Sequence, residues 1–487
     1  MKDILFTHSY FSKFDPKQWA LEQPYSPLGT LHAAALMREN GYQVYLFDTM
    51  FAGSALEVLP ELKKIQPNFF VIYDDGFNYL TKMCLTNMRE AAFEMCKLAK
   101  AQGCTVIVSS SDSTDRFADY LNEGADFVIL GEAEHTLLEL VTLLKYGGTA
   151  FDTVNGLAFK TQDGLHKTMP RAVLKDLDSL PLPAWDLVDM KKYKEIWIKN
   201  KDYFSINIST TRGCPFKCNW CAKPIYGNRY NSRSPAHVVQ EIKYLKENFQ
   251  MDHIWFCDDI FGLKPGWVLE FAALLKRENL KIRFKIQSRA DLLVQDELVA
   301  ALHEAGCETV WIGAESGSQK ILDAMDKGIT IEQIKIATGL MKKYRINPSF
   351  FIQFGYPGET KADIKQTIQM INELLPFEIG ISVSYPLPGT VFYERVKTEL
   401  KSKTNWTDSD EMALMFKNTF PASYYKQLHS YVHQNYHKHL AKSSVFKLFK
   451  NPLAINRSSL KRACSILYYS PLTFISKLKL DRLEGKI

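Results

Sequence analysis

Cys214, Cys218 and Cys221 stand at C-x3-C-x2-C spacing in the segment STTRGCPFKCNWC, residues 209–221. Three neighbouring thiolates suit a soft metal. A closed structural zinc site takes four ligands, and no fourth Cys or His lies in this segment to complete one. On an iron–sulfur cubane, three cysteines hold three irons and leave the fourth open. An open iron can chelate an amino and a carboxylate group, and from there the cluster can pass an electron into a bound sulfonium. A zinc ribbon or incidental buried cysteines are the alternatives that these residues leave standing.

The elements around the cysteines have to place them. An apolar strand, 205–209, runs directly into the segment, and a helix is expected from 236 to 249, so the thiols fall on a loop at a strand's C-terminal end. Beyond it strands 253–257, 282–287, 309–313, 349–354 and 378–384 alternate with helices 265–278, 295–305, 331–344 and 361–375. Six strand–helix repeats predict a partial (β/α)6 barrel of TIM type over residues 201–396. Upstream, strands 3–9, 43–48, 69–73, 105–109 and 126–130 alternate with helical stretches 28–40, 55–65, 84–102 and 136–144. That pattern predicts a doubly wound, Rossmann-like parallel sheet over residues 1–145. Residues 146–200 read as a linker, with Gly147-Gly148, a hairpin around Asp163-Gly164 and the stiff Pro181-Leu182-Pro183. The tail, residues 397–487, reads as helical throughout.

Composition sets the bounds. The chain has 487 residues, 46% hydrophobic and 23% charged, which matches globular proteins and excludes a disordered or fibrous chain. Nine cysteines, an odd number, with no secretory signal at the start argue against a disulfide framework and for a reducing, cytoplasmic setting. No apolar run approaches the roughly 20 residues of a membrane span.

CPFKCNWC resembles the signature of the radical S-adenosylmethionine (SAM) superfamily, which binds a [4Fe-4S] cluster through three such cysteines. The resemblance implies that Trp220 packs the adenine of SAM. It extends to Asp258-Asp259 in WFCDDIFG, similar to the segment near the SAM amino group, and to Gln287-Ser288-Arg289 in IQSRADLL. Gly313-Ala314-Glu315-Ser316, FGYPGET (354–360) and YPLPGT (385–390) follow in the family's order. By this resemblance Glu315 and Asp258 pair with the ammonium or ribose hydroxyls of SAM, and Arg289 with its carboxylate. At the C-terminal face of a barrel, Asp258, Gln287, Arg289 and Glu315 would converge. Singly, each has a plainer role: the aspartates as helix caps, the Gly-Pro pairs as turns. Reductive cleavage of SAM would give methionine and a 5′-deoxyadenosyl radical, and the protein's task would be to confine it.

A Rossmann-like sheet ahead of such a barrel resembles the cobalamin-dependent branch, which includes C-methyltransferases and anaerobic porphyrin-ring cyclases. SPLG (26–29), GADF (124–127), GEAE (131–134), DLDSLP (176–181) and PAW (183–185) carry that likeness. No D-x-H-x-x-G sequence supplies a lower ligand to cobalt. VSSSDST (108–114) stands where the branch has a glycine-rich loop, so Ser109, Ser110, Ser111 and Thr114 would hold the nucleotide tail by hydroxyls. Asp74-Asp75-Gly76 either faces the cofactor or forms a turn. The alternative for the module is a Rossmann-like domain that binds substrate or a partner without cobalamin.

In the tail, His429, His433 and His437 recur every four residues, on one helix face; a metal role and a solvated helix are both open. Residues 441–487 hold ten Lys or Arg against two Asp or Glu, mixed with apolar residues in SVFKLFKN and SILYYSPLTFISKLKL. Such a mixture suits contact with an anionic membrane surface, or a packed covering helix. No nucleic-acid motif accompanies it. The expected function is thus a radical SAM enzyme, cobalamin-dependent, that makes a substrate radical for C-methylation or ring formation on a small or lipid-like metabolite, with flavodoxin or ferredoxin as electron donor. Two alternatives remain: a cobalamin-independent dehydrogenase or mutase, and a non-catalytic iron–sulfur protein. No residue is assigned to catalysis itself.

Overall fold

In the computed structural model, which describes residues 3–74, 76–77, 82–400, 404–450 and 456–484, the chain opens with five parallel strands. They are β1 (Asp3–Thr7), β2 (Gln43–Phe47), β3 (Phe69–Tyr73), β4 (Thr105–Ser109) and β5 (Phe127–Ile129), in the spatial order β2-β1-β3-β4-β5. Alternate side chains of a strand point to opposite faces, so apolar runs such as FFVIY feed two cores at once. Ile4, Phe6, Val71 and Ile107 pack with Ala34, Met37 and Leu137 of helices Leu28–Glu39 and Glu134–Lys145. Leu5, Phe70, Ile72 and Val106 pack with Leu62, Met88 and Met95 on the opposite side. Helices cover both faces of the sheet. Asp75 and Asn451, each part of a segment singled out above, lie outside the described residues.

Two antiparallel strands, β6 (Leu157–Thr161) and β7 (Gly164–Lys167), continue this sheet beyond β5. The hairpin at Asp163-Gly164 therefore belongs to the first sheet, which is mixed and not wholly parallel. β7 is exposed along its whole length, a short polar edge that protects the sheet from further pairing.

The second sheet begins with β8 (Ser205–Ile208). After the short antiparallel pair β9 (Thr211–Arg212) and β10 (Asn231–Ser232), it continues through β11 (His253–Phe256), β12 (Arg283–Ser288), β13 (Cys307–Glu315), β14 (Asn347–Phe354) and β15 (Glu378–Val383). All six strands of the sheet are parallel and each lies beside its predecessor, with β8 and β15 as open edges. The helices between them start on strong caps: Ser234 accepts from the His237 amide ahead of Pro235, and Thr330 and Thr360 each close a capping box. Ile286, Val310, Ile312 and Phe350 face the helical core. Lys285, Gln287, Trp311, Phe351 and Gly380 alternate with them and are only half-buried, lining the face away from the helices. Trp311 stacks on Phe351 at 4.6 Å there.

The tail, expected to be helical throughout, is only partly so. After a short helix, Val391–Val396, residues 404–421 form no helix. Asp, Asn and Ser compete for backbone bonds in this stretch: Asp408 accepts from the Asp410 amide, and Ser409 and Asn405 bond to Asp15 and Arg89 of the first module. Helices Ala422–Lys450, Arg457–Cys464 and Ile466–Glu484 follow. The first of them covers the β15 edge, where the Tyr436 hydroxyl donates to the Pro376 carbonyl at 2.8 Å. His429 and His433 lie ring to ring at 4.5 Å, and His437 stacks on Tyr469 of the last helix. Burial depresses all three, His433 to about 3. Among the described residues no three His, Cys, Asp or Glu side chains gather around a single metal-ion position, and no helix is long and apolar enough to cross a membrane.

Candidate cluster and cofactor site

The cysteine segment is held at its base. Asp258, 1% exposed at the end of β11, accepts bonds from the Thr210 and Thr211 amides at 2.7 and 2.8 Å and from the Thr210 hydroxyl at 2.6 Å. Burial outweighs these bonds and raises its carboxyl to about 6. β9 and β10 then close the loop, and Gly213, at φ +80°, has no room for a side chain because a Cβ would strike the Arg229 carbonyl. Cys214 is buried, Cys218 and Cys221 are half-buried, and all three are free thiols. Cys214 lies within electrostatic reach of both Cys218 and Cys221. Burial lifts the Cys221 thiol to about 12, so loading a metal there must release protons. Asn219 staples the loop to the second module: it donates to the Ala324 carbonyl and Asp326, and accepts from the Tyr356 hydroxyl.

Beside the loop lies a buried ion pair. Lys327 donates to Glu315 at 2.7 Å, both within a tenth of full burial. Glu315 sits at φ +56°, in the left-handed region, where the β13–β14 register shifts. A bulge of this kind re-aims a side chain, and a non-glycine residue held there stores about 1–3 kcal/mol of strain. Gly313 makes the approach possible, since a Cβ would stand 2.5 Å from the Lys327 ammonium and 2.6 Å from Glu315. The half-buried Trp220 has its ring 5.8 Å from the same ammonium, and its indole N–H has no partner among the described residues. An orphaned buried donor beside free thiols and a glycine cradle is the condition expected of a ligand pocket. Arg289 spans the base of this region: it pairs with Asp291, donates to the carbonyls of Lys327 and Gly328, and lies 3.6 Å from the centre of the Phe216 ring in the cysteine loop. Gln287 is on the half-buried face of β12, one strand away from Trp311 in register.

The first module meets the cysteine loop through charge. Lys82 donates to Asp259 at 2.6 Å and also acts on Cys221. Arg212, two residues before Cys214, is 4% exposed and pairs with Glu132 and with Glu134 at 2.6 Å, while its guanidinium covers the rings of Phe77 and Tyr226. A narrow cleft with about 10 Å³ of free internal volume lies between the modules, floored by Gly76, Lys82 and Ser111 and roofed by Gly213, Lys223, Pro224, Ile225, Tyr226 and Asp259. Sheets of order 2-1-3-4-5 bind ligands beyond the C-terminal ends of their strands, where this cleft opens. Gly76 and Ser111 keep the first module's side low enough for a planar ligand, with Lys82 held aside by Asp259. The volume of the cleft is far below the ~300–1,000 Å³ of ordinary ligand sites, so a corrin would require the Ile225–Tyr226 roof to swing out.

The serine segment has a different character. Ser109 ends β4, and residues 111–115 form one short helix that Ser110 caps in a reciprocal box with Ser113. The Thr114 hydroxyl donates back to the Ser110 carbonyl and accepts from the Gly131 amide, and only Ser111 reaches the cleft. Lys327, Lys82, Arg212 and Asn219 were not picked out from sequence. Lys327 follows a six-residue helix with no periodic signal, and the partners of the other three lie about 80 residues or more away in the chain.

Residues 208–371 match the radical SAM superfamily. The match covers about a third of the chain and marks these residues as a radical SAM domain, the domain of an enzyme, which implies a [4Fe-4S] cluster and SAM. An uncharacterized methyltransferase of Pyrococcus horikoshii is 28% identical over 78% of this chain and 80% of its own length. The anaerobic magnesium-protoporphyrin IX monomethyl ester cyclase of Rubrivivax gelatinosus is 28% identical over 56% of this chain, and the match spans about half (49%) of that enzyme. Among solved structures, the cobalamin-dependent SAM radical enzyme OxsB with aqua-cobalamin bound superposes with a TM-score of 0.74 at 18% identity, over 99% of this chain and 72% of that one. This last likeness is one of fold.

Proposed function

We propose that this radical SAM enzyme is cobalamin-dependent and acts on a small or lipid-like metabolite, methylating a carbon or closing or rearranging a ring. The observation that carries the proposal is the cleft in which Gly76, Lys82 and Ser111 of the first module face Gly213, Tyr226 and Asp259 beside the cysteines. The first sheet with its β6–β7 hairpin would be the corrin module, residues 201–396 a partial (β/α)6 barrel, and the helices Ala422–Lys450, Arg457–Cys464 and Ile466–Glu484 a cover. Cys214, Cys218 and Cys221 would hold the cluster. Trp220, Asp258, Asp259, Gln287, Arg289, Gly313 and Glu315 would surround SAM, and Ser109, Ser110, Ser111 and Thr114 would stand near the nucleotide tail. When bound, these groups supply one electron, an adenosyl radical source and a transferable methyl group.

The chain's own residues do the rest. In the Glu315–Lys327 pair the lysine compensates the charge of the buried carboxylate, whose remaining lone pairs are open to a ligand ammonium or hydroxyl. Trp220 presents an indole face and an N–H with no partner among the described residues. Lys82, Lys223 and Lys327 ring the thiols with positive charge, which favours a reduced, more negative cluster. Electrons would arrive from flavodoxin or ferredoxin. A second reading, a dehydrogenase or mutase without cobalamin, draws on the small volume of the cleft. Anaerobic reconstitution with iron, sulfide, SAM and dithionite, with and without hydroxocobalamin, separates the two. The proposal expects 5′-deoxyadenosine together with a stoichiometric retained corrinoid. 5′-Deoxyadenosine with no retained corrinoid selects the second reading, and absence of both overturns the site.

A further inference from the structure

The last helix, Ile466–Glu484, is inverted in polarity. The side it packs against helix Ala422–Lys450 includes Thr473 and Ser476, both buried, with Leu480. The side it turns outward carries Leu467 at 80% exposure, Phe474 at 66%, Ile475 and Leu478, spaced by seven, eight and eleven residues along one stripe. Burying hydroxyls while exposing large apolar side chains is the reverse of what a covering helix does. Scattered exposed leucines need no explanation, but a continuous stripe does. The stripe is extended by Tyr468, by Leu460 on the preceding helix and by Phe446 near the end of helix Ala422–Lys450, all more than half exposed.

Positive charge lies around this apolar surface. Lys442, Lys447, Lys450, Arg457, Lys461, Arg462, Lys479 and Arg482 are exposed on the same three helices. Their two acidic residues are already engaged, Asp481 with Lys477 and Glu484 with Lys361 of the barrel. The surface thus presents unneutralised cations beside apolar side chains, the pairing that attracts an anionic headgroup layer and then inserts into its acyl boundary. A second copy of the chain would bring an equally basic surface against this one, and that repulsion disfavours self-association. We infer that helices Arg457–Cys464 and Ile466–Glu484 form a docking face for an anionic lipid bilayer, lying in its interfacial plane.

Co-sedimentation of the full chain tests this, with vesicles of phosphatidylcholine alone and of phosphatidylcholine mixed with phosphatidylglycerol. The expected result is retention on the anionic vesicles, release by high salt and little binding to the neutral ones. Phe474→Glu with Leu478→Glu should weaken retention at least about tenfold, since each removes a large apolar group from the bilayer. Lys461→Glu with Arg462→Glu should weaken it while leaving the apolar stripe intact, so the result does not depend on one variant staying folded. No retention on anionic vesicles overturns the inference, as does equal binding to both vesicle types. A dimer in sedimentation velocity that Phe474→Glu dissociates would assign the face to a second copy instead.

Discussion

The cysteine loop and the serine segment are both polar stretches at the C-terminal end of a strand, yet they hold their polar groups in opposite ways. Around the loop, the Trp220 indole lacks a partner among the described residues, Glu315 is in a left-handed conformation, and three thiols are free. In the serine segment the hydroxyls of Ser110, Ser113 and Thr114 close on the segment's own backbone. A site awaiting a ligand keeps unsatisfied or strained groups, and a structural turn spends them internally. By this measure the groups around the cysteine loop are the ones left open to a ligand, and the first module offers chiefly Ser111 and glycine backbone.

The largest break in the comparison should come from Cys221→Ala, which leaves two cluster ligands. Reconstituted iron should fall below stoichiometry and 5′-deoxyadenosine below detection, with the far-ultraviolet dichroism unchanged. Next is Lys327→Met, which strands the Glu315 carboxylate in a buried position. Loss of one partner of a buried pair costs about 3–5 kcal/mol, and adding Glu315→Gln should recover most of it in urea denaturation. If Lys327→Met alone is neutral, water reaches this pair and the pocket is not dry.

Much of this contrast was open to sequence reasoning, though unevenly. β3 and β4 stand where the apolar runs put them, because a strand buried on both faces has no other composition available. The positions of Cys214, Glu315 and Gly313 follow from motifs whose spacing is local. Arg212 adjoins the same motif, but its pairing with Glu132 and Glu134 joins residues about 80 positions apart, and no local pattern encodes that. The 404–421 stretch reads as helical with the rest of the tail; Trp406, Met412, Met415 and Phe416 are buried in it, but the intervening Asp and Ser side chains take its backbone bonds and no helix forms.

Glu359 sharpens the same contrast through pH. One of its oxygens accepts from the Gly355 amide at 2.6 Å, the other is buried without a partner among the described residues, and burial raises the carboxyl to about 8. The folded state therefore holds this proton more tightly than the unfolded chain. Its contribution to stability is greatest below the ordinary glutamate range and is lost as pH rises toward 8, by up to about 1.4 kcal/mol per pH unit. Glu359→Gln, a neutral isostere, should flatten this decline in melting temperature between about pH 5 and 8. An unchanged slope would mean that the acid is ionised in the fold.

The smallest effect belongs to the serine segment. Ser110 caps a five-residue helix whose box is complete without any ligand, so Ser110→Ala should cost only about 1 kcal/mol, the usual worth of a cap. Because its hydroxyl is already committed to the Ser113 amide at 2.8 Å, the substitution should leave corrinoid retention as it is. Ser111→Val, which places a branched side chain in the cleft floor beside Gly76 and Tyr226, should reduce that retention with little change in 5′-deoxyadenosine formation. The two substitutions neighbour each other in sequence and differ only in which way the side chain is spent. If Ser110→Ala weakened corrinoid binding as much as Ser111→Val, the box would have to open when the ligand enters, and the segment would be a ligand loop held shut, not a structural turn.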